Sequence, residues 1–267
     1  RGMISPAVAL DIDQGVATLT LNRPEKRNAV GPELSQALHE AARTCATSPD
    51  IRCVILTGAG GFFSVGGDID LFSGAGDDAE ATVGGLAKTF HAGVLELATM
   101  PKPLVTAVNG PAAGAGLSLA ILGDIAIAAR TAQFAVAYTA IGLTPDGGAS
   151  WMLPRLVGLR RAQEMILTNR RVGADEAAAM GLVTRAVDPE VLMETAHETA
   201  RSLAFGAVGA LAACRRLLHE GAVQGLAAQL DAEASGIARA SGGAEGREGV
   251  AAFLEKRKPV FPPAGGR

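Results

Sequence analysis

The sequence predicts an α/β core followed by a helical C-terminal region. In the first part of the 267-residue chain, short apolar segments alternate with helical ones. This alternation is typical of folds whose parallel strands are covered on both faces. After about Leu159 the pattern becomes almost entirely helical. We therefore expect a core over residues 1–195 and a helical region over residues 196–267.

The elements of the core follow from hydrophobic periodicity and from turn residues. A β-hairpin is expected over 8–21, because apolar residues alternate on both sides of the turn Asp13-Gln14-Gly15. Pro32 is a good first residue for the helix that follows. The other core segments are predicted as helices over 32–46 and 79–99, strands over 51–57, 104–108 and 125–129, and an alanine-rich helix after a glycine-rich turn near residue 110. A loop is expected over 71–85, and its stretch Gly74-Ala75-Gly76-Asp77-Asp78 is expected to be mobile.

The C-terminal part of the sequence reads as a series of helices. They are predicted over 160–168, 174–180, 191–203, 206–219, 222–240 and 244–256, with one strand-like interruption over 183–187. Residues 259–267 are expected to form a flexible tail.

Charge and composition argue against several functional classes. The net charge of −3 is unlike the basic excess of nucleic-acid-binding proteins. Three cysteines without a CxxC pair, and four scattered histidines, predict neither a metal site nor a redox cofactor, and they indicate a reducing, cytoplasmic location. Residues 1–4 do not resemble a signal peptide, and no apolar run is long enough for a membrane span.

Common nucleotide and hydrolase motifs are also missing from the sequence. There is no GxGxxG after a strand and no GxxxxGK[ST], so neither dinucleotide nor phosphate-loop binding is expected. The segment around Ser118, GLSLA, lacks the second glycine of a GxSxG nucleophile turn.

Two glycine-rich segments, 61–69 and 109–116, follow predicted strands. Glycine and alanine allow a ligand to approach backbone N–H groups closely. The N–H groups at the start of a helix are also unpaired and lie at the positive end of the helix dipole. Two such turns that face one pocket can bind a developing oxyanion. The alternative is that each is merely a tight turn.

A third segment, Pro145-Asp146-Gly147-Gly148, precedes a further helix. Taken alone, it is a turn in which Asp146 is a good N-cap. A catalytic role for the Asp146 carboxylate is the alternative.

Taken together and in this order, several segments resemble the enoyl-CoA hydratase/isomerase (crotonase) family. The resemblance covers roughly residues 8–261. The segments are NRPEKRNA at 22–29, FSVGGDI at 63–69, NGPAAGAGLSL at 109–119 with Asp124, PDGG at 145–148 with LPRLVG at 153–158, and EG at 248–249 with FLEKR at 253–257.

This resemblance implies a fold and a substrate. The fold would be a crotonase-like spiral of ββα turns, followed by helices that assemble trimers or dimers of trimers. Residues 1–195 would then carry the site for an acyl- or enoyl-CoA thioester, and 196–267 would serve oligomerisation. Coenzyme A is part of the substrate, so no separate cofactor is expected. The oxyanion donors would be the N–H groups of Gly67 and Ala115.

The resemblance also implies contacts with the substrate. For Lys26 and Arg27 the alternative is solvated surface charge, for Phe253 it is helix packing, and for Ser118 and Tyr138 it is simple pocket lining. The residues expected to contact the thioester or its coenzyme A are Lys26, Arg27, Val65, Gly66, Asp68, Ile69, Gly114, Ser118, Tyr138, Phe253 and Lys256.

The reaction is indicated by a departure from the hydratase pattern. The two glutamates with which hydratases activate water fall on Ser118 and Tyr138, which are poor acids and bases near neutral pH. Asp146 aligns with the acidic residue of some Δ3,Δ2-enoyl-CoA isomerases and of related ring-epoxide isomerases. The sequence therefore favours an isomerase with Asp146 as its acid/base. A hydratase, another crotonase-type reaction and a non-catalytic acyl-CoA-binding protein stay open as alternatives.

Overall fold

The computed structural model describes residues 7–261. Its strands are β1 (Val8–Asp13), β2 (Val16–Leu21), β3 (Cys53–Gly58), β4 (Leu104–Val108), β5 (Ala112–Ala113), β6 (Ile125–Ala129), β7 (Gln133–Ala135), β8 (Val172–Gly173) and β9 (Arg185–Val187). Its helices are α1 (Pro32–Thr47), α2 (Ile69–Gly74), α3 (Ala79–Thr99), α4 (Ala115–Ala120), α5 (Ala149–Val157), α6 (Leu159–Thr168), α7 (Ala174–Ala179), α8 (Leu192–Ala204), α9 (Val208–Gly221), α10 (Leu226–Gly242) and α11 (Ala244–Leu254).

The main sheet has the strand order β1-β2-β3-β4-β6-β9. Strands β1 and β2 form an antiparallel hairpin, and every later pairing is parallel. Both faces are buried: Val54 and Leu56 of β3 pack in the core shared with α1 and α3, whereas Cys53 and Ile55 pack in the core shared with α8. Burial on both faces explains why these strands read as continuous apolar runs.

A second, three-stranded sheet has the order β5-β7-β8. Its strand β5 lies between the end of β4 and the start of α4. An isolated parallel bridge joins Ser64 to Ala112 of β5, and another joins Val30 to Gly67. The first bridge brings the two glycine-rich segments next to each other, and the second joins the 61–69 segment to the residue two positions before α1.

The predicted order of elements is confirmed. The hairpin, α1, α3, the core strands and the C-terminal helices all lie where the pattern indicated, with boundaries shifted by a few residues. The α/β core and the helical C-terminal region are therefore both present. Within residues 7–261, no helix combines the length and apolar character needed to cross a membrane.

The predicted loop over 71–85 is wrong in its extent, because helices cover 71–74 and 79–85. The mobility expected for 74–78 stays a prediction. Helix α2 continues to Gly74, a short 3-10 turn covers Gly76–Asp78, and α3 begins at Ala79. Asp68 explains part of this order, because its carboxylate accepts a hydrogen bond from the Asp70 N–H (3.2 Å) and so caps α2.

The predicted boundary after residue 195 falls inside α8. This helix packs on the main sheet through Leu192, Ala196 and Ala200, so the division into two domains stays a prediction. In the predicted tail, the Val260 N–H donates to Glu248 (2.8 Å). Residues 262–267 of that tail, and the segment 1–4, lie outside the described residues.

Candidate functional site

Asn28 joins the first family-like segment to the first glycine-rich turn. It is fully buried and has a positive φ of 56°. Its side-chain amide donates to the carbonyl oxygens of Ala59 (3.0 Å), Phe62 (2.9 Å) and Phe63 (3.2 Å). Its own carbonyl accepts a hydrogen bond from the Ser64 hydroxyl (2.8 Å). The position of the turn therefore depends on one buried amide, a role that sequence reasoning did not assign to Asn28.

The two glycine-rich turns are in direct backbone contact. The Ala113 N–H donates to the Ser64 carbonyl (3.0 Å). A Cβ atom on Gly116 would lie 2.2 Å from that same carbonyl oxygen, and one on Gly66 would lie 2.7 Å from the Ala113 oxygen. Only glycine fits at these two positions, because both neighbours are backbone atoms that cannot move aside independently.

Each turn has an unpaired backbone N–H group at the position predicted to be an oxyanion donor. Val30 pairs with the residues on either side of Gly67, through the Gly66 carbonyl (2.7 Å) and the Asp68 N–H (3.1 Å). Ala115 is the first residue of α4, where N–H groups have no partner within the helix. Among residues 7–261, neither the Gly67 N–H nor the Ala115 N–H donates a hydrogen bond. Both remain available to an oxygen of a ligand.

Asp146 lies in the loop before α5 and is held by three side chains. The Tyr138 phenol donates to its Oδ1. The Ser118 hydroxyl donates to its backbone carbonyl (2.9 Å). The next peptide is held as well, because the Gly147 N–H donates to Nε2 of His91 (3.0 Å). The carboxylate is thus fixed in direction while 31% of the side chain stays exposed.

The predicted N-cap role of the Asp146 side chain is wrong. Helix α5 begins at Ala149 after Gly148, which has a φ of 87°, and no side chain caps it. The Asp146 backbone carbonyl accepts the Ala149 N–H (3.1 Å). The carboxylate contacts Tyr138 and His91 instead.

Tyr138 connects Asp146 to the second glycine-rich turn. A Cβ atom on Gly114 would lie 3.7 Å from Cζ of Tyr138, so the phenol ring lies against the residue that precedes Ala115. Burial, and then the charge of Asp146, raise the pKa of Tyr138 well above its usual range. The phenol therefore stays protonated and acts as a donor to Asp146.

His91 is a site residue that sequence reasoning missed. It lies in the middle of α3, and its Nε2 is 3.4 Å from Oδ2 of Asp146. No motif marks it, because a single histidine in a long helix has no spacing that points to a site. A helical-face argument needs to know which face of α3 packs on the Asp146 loop, and that is a tertiary feature.

Charged residues predicted to contact coenzyme A border the first turn. Lys26 forms an ion pair with Asp70 (3.0 Å), whose hydrogen bond raises the pKa of Lys26. The Arg27 guanidinium lies over the Phe62 ring, 5.4 Å from its centroid. Asp68 is the cap of α2. Lys26, Arg27 and Asp68 therefore lie near the predicted oxyanion donor Gly67, and each also has a partner within the chain.

Val65 and Ile69 lie on either side of the Gly66-Gly67 pair. Val65 lines a cavity of about 430 Å³ together with Phe62 and Ala113. Ile69 is the exposed first residue of α2. A larger cavity of about 1020 Å³ lies elsewhere, between the end of α3 and the helices α9–α11, and none of the predicted site residues lines it.

Phe253 lies in the last turn of α11 and Lys256 lies two residues after this helix, which packs on α9 and α10. Phe253 is 83% exposed, so it packs little against the described part of the chain. Within the described range, neither residue forms a side-chain hydrogen bond or ion pair with another predicted site residue. Their predicted contact with coenzyme A stays a prediction.

The site can be compared with known proteins now that its geometry is described. The sequence matches the enoyl-CoA hydratase/isomerase family over residues 11–263. The chain is 39% identical to the 1,2-epoxyphenylacetyl-CoA isomerase of Escherichia coli K12, over 94% of this chain and 96% of that protein. It is 41% identical to a probable enoyl-CoA hydratase of Rhodobacter capsulatus, over 95% and 97%.

The same likeness is found among solved structures. A putative enoyl-CoA hydratase/isomerase from Mycobacterium abscessus superposes with a TM-score of 0.91 at 36% identity, covering 96% of this chain and 99% of that one. Its coverage extends over both the α/β core and the helical C-terminal region, so the fold is crotonase-like throughout. The chain belongs to the enoyl-CoA hydratase/isomerase (crotonase) family.

Proposed function

We propose that this chain is an isomerase of unsaturated acyl-CoA thioesters, of the Δ3,Δ2-enoyl type or the related ring-epoxide type. Asp146 acts as its single acid/base, and the N–H groups of Gly67 and Ala115 bind the thioester oxygen. The isomerase named among the relatives, 39% identical to this chain, supports this proposal.

The observation that carries the proposal is that the Ser118 and Tyr138 hydroxyls both donate hydrogen bonds to Asp146. By resemblance, these are the positions at which hydratases have their two glutamates. Here both hydroxyls hold Asp146, one at its backbone carbonyl and one at its carboxylate. Because both positions carry hydroxyls that orient Asp146, neither supplies a carboxylate to activate water. A double-bond shift needs only one group that moves a proton, and Asp146 is that group in this proposal.

The proposed reaction moves one proton within the substrate. The Asp146 carboxylate removes a proton from C2 of a 3-enoyl-CoA, and the C–H electrons form a dienolate whose charge lies on the thioester oxygen. The same group, now a carboxylic acid, returns the proton at C4. The double bond moves to C2–C3, Asp146 is again a carboxylate, and no water or redox partner is consumed.

The two backbone N–H groups account for a large part of the proposed rate. Each donor is aimed at charge that develops only in the dienolate, and such a donor contributes on the order of 3 kcal/mol to the transition state. The retention of both unpaired N–H groups also argues against the alternative of an inert acyl-CoA-binding protein, which has no need of them.

The test is to supply the purified protein with a 3-enoyl-CoA and, in parallel, with a 2-enoyl-CoA. We expect rapid formation of conjugated 2-enoyl-CoA, seen by its absorbance, with little hydration. Hydration without isomerisation would identify a hydratase and contradict the role given to Ser118 and Tyr138. Tight binding of the thioester without turnover of enoyl or ring-epoxide substrates would identify the non-catalytic alternative.

We also propose that residues 196–267 assemble the chain into a trimer or a dimer of trimers. Large apolar side chains on α9–α11 are exposed in the single chain, and a subunit interface would bury them.

In the described range the cysteines are free thiols, Cys45 and Cys53 buried and Cys214 exposed. Free thiols are in keeping with a cytoplasmic location.

A further inference from the structure

The imidazole of His91 lies beside Asp146 and has no role in the reaction proposed above. Nε2 of His91 accepts the Gly147 N–H at 3.0 Å and lies 3.4 Å from Oδ2 of Asp146. A nitrogen that accepts a hydrogen bond needs a free lone pair. The contact with Gly147 therefore requires the neutral imidazole, with its proton on Nδ1.

The neutral form of His91 distinguishes the two oxygens of Asp146. Oδ1 is occupied, because it accepts the Tyr138 O–H. Oδ2 lies 3.4 Å from Nε2, which offers it no proton because its single lone pair already accepts the Gly147 N–H. In the described part of the chain no other group donates to Oδ2. Oδ2 is thus the oxygen whose lone pairs remain available to a substrate proton.

A protonated His91 would reverse this arrangement. The imidazolium would carry a proton on Nε2, so it would lose the Gly147 N–H as a partner. It would then donate to Oδ2 and occupy the oxygen that the reaction needs. The charged group that faces the imidazole from the neighbouring loop is Asp146, and the Tyr138 phenol beyond it is neutral.

We propose that His91 is a positioning residue of this site: its neutral imidazole fixes the Asp146–Gly147 peptide and leaves Oδ2, rather than Oδ1, as the atom that takes the proton. This inference rests on the proposed isomerase function. His91 does not touch the substrate in this account. It acts through the direction and the free lone pairs of Asp146.

Two variants with side chains of nearly equal length distinguish the loss of the hydrogen-bond acceptor at position 91 from a change in side-chain size. His91→Gln retains an amide oxygen that can accept the Gly147 N–H and carries no charge. His91→Met fills similar space and has only a weak acceptor. Both residues are good helix formers. Because 47% of the His91 side chain is exposed, neither variant opens a cavity in the core. His197→Met on α8 is the matched control.

The measurements are kcat and KM for 3-enoyl-CoA isomerisation, with the affinity for a saturated acyl-CoA. We expect His91→Met to lose about tenfold or more in kcat, the effect of a lost orienting hydrogen bond, with KM and affinity within about threefold. His91→Gln should restore kcat to within about threefold of the wild type. The control should match the wild type.

Two results would overturn the inference. One is a His91→Met variant with the wild-type kcat, and the other is a His91→Gln variant as slow as His91→Met. Asp146→Asn, measured in the same assay, distinguishes failure of the proposed isomerase function from failure of the role given to His91. If Asp146→Asn isomerises at the wild-type rate, the proposed function fails. If it is inactive while His91→Met is fully active, only the role of His91 fails.

Discussion

At the scale of single residues, the proposed oxyanion donors are backbone N–H groups, which only a substitution to proline removes. Ala115 is a suitable position for that change, because it is the first residue of α4. Proline is well tolerated at the first position of a helix, where its missing N–H breaks no helical hydrogen bond. A single change can therefore delete this oxyanion donor and leave the helix in place.

We predict that Ala115→Pro lowers kcat by about 10²-fold or more, the usual effect of losing one oxyanion donor. Ala115→Gly keeps the N–H and should retain nearly full activity. Acyl-CoA affinity and thermal unfolding, recorded for both variants, show that the site is otherwise intact. An Ala115→Pro enzyme that is folded and fully active would mean that this N–H does not bind the oxyanion.

Tyr138 is the only tyrosine in the chain, so the absorbance of tyrosinate reports on this residue alone. Burial raises the pKa of Tyr138, so the folded state retains the phenol proton where the unfolded chain releases it at pH about 10. The stability contributed by the protonated phenol is therefore fully present below about pH 10 and is lost at higher pH.

We predict that the folded protein shows no tyrosinate absorbance at pH about 10, and that the signal appears only together with unfolding. A titration followed by absorbance and by circular dichroism tests this directly. Tyrosinate that forms near pH 10 while the circular dichroism stays native would show that the phenol is not held as a donor to Asp146.

The sequence revealed some of these residues and not others. Gly67 and Ala115 were proposed as donors because family-like segments surround them. In the structure both N–H groups are unpaired, and their role stays a prediction. His91 could not be predicted, since its contact with Asp146 is made between a helix and a loop 55 residues further along the chain. The hydrogen bonds of Ser118 and Tyr138 to Asp146 also depend on tertiary packing.

At the scale of elements, Arg215 attaches the C-terminal helix α9 to the core. Only 7% of its side chain is exposed. Its guanidinium forms an ion pair with Asp124 (2.7 Å) and donates to the carbonyls of Met100 (2.7 Å) and Leu97 (2.8 Å). These carbonyls lie at the end of α3, where the helix leaves them without partners of its own.

We predict that Arg215→Ala lowers the free energy of unfolding by about 3 kcal/mol, because it leaves Asp124 and two carbonyls without this partner. Its neighbour Arg216 forms only an exposed pair with Glu220 (3.6 Å). Arg216→Ala should therefore cost less than about 1 kcal/mol. Denaturant unfolding of the two variants checks the difference, and equal losses would contradict the role given to Arg215.

Element boundaries were predictable where a strong local signal exists. Helix α3 begins and ends at the predicted residues, whereas the segment before it was predicted as a loop from its glycines and aspartates. Two contacts hold the start of α2 in this segment: the Asp68 cap and the exposed Lys26–Asp70 ion pair. The cap is local and could have been recognised, but the ion pair joins residues 44 positions apart.

At the scale of the whole molecule, the exposed apolar surface of α9–α11 supports the proposal that these helices contact other copies of the chain. We predict that the protein elutes with three or six times the mass of one chain in size-exclusion chromatography with light scattering. Ile237→Asp on α10, where the side chain is 73% exposed, should weaken the assembly. Leu167→Asp on α6, where it is 71% exposed, is the matched control. A wild-type protein with the mass of a single chain would contradict this expectation.

The α/β core and the helical C-terminal region were predictable because the parallel strands are buried on both faces and the C-terminal helices have long periodic patterns. The crotonase-like arrangement was expected from the family resemblance alone. The packing of α8 on the sheet was not predictable, since an apolar helix face does not indicate which element it packs against. The same limit applies to the candidate site: the family-like segments predicted Asp146 as a candidate, but its contacts with Tyr138 and His91 depend on tertiary packing.

The role of Asp146 is tested most directly by the isomerisation rate of Asp146→Asn, measured beside its affinity for a saturated acyl-CoA. Asparagine keeps the size of the side chain and removes the group that takes a proton from C2. We predict a loss of kcat by at least about 10³-fold with affinity within about threefold, because the base is lost and the binding contacts remain. An unchanged isomerisation rate would show that another group moves the proton.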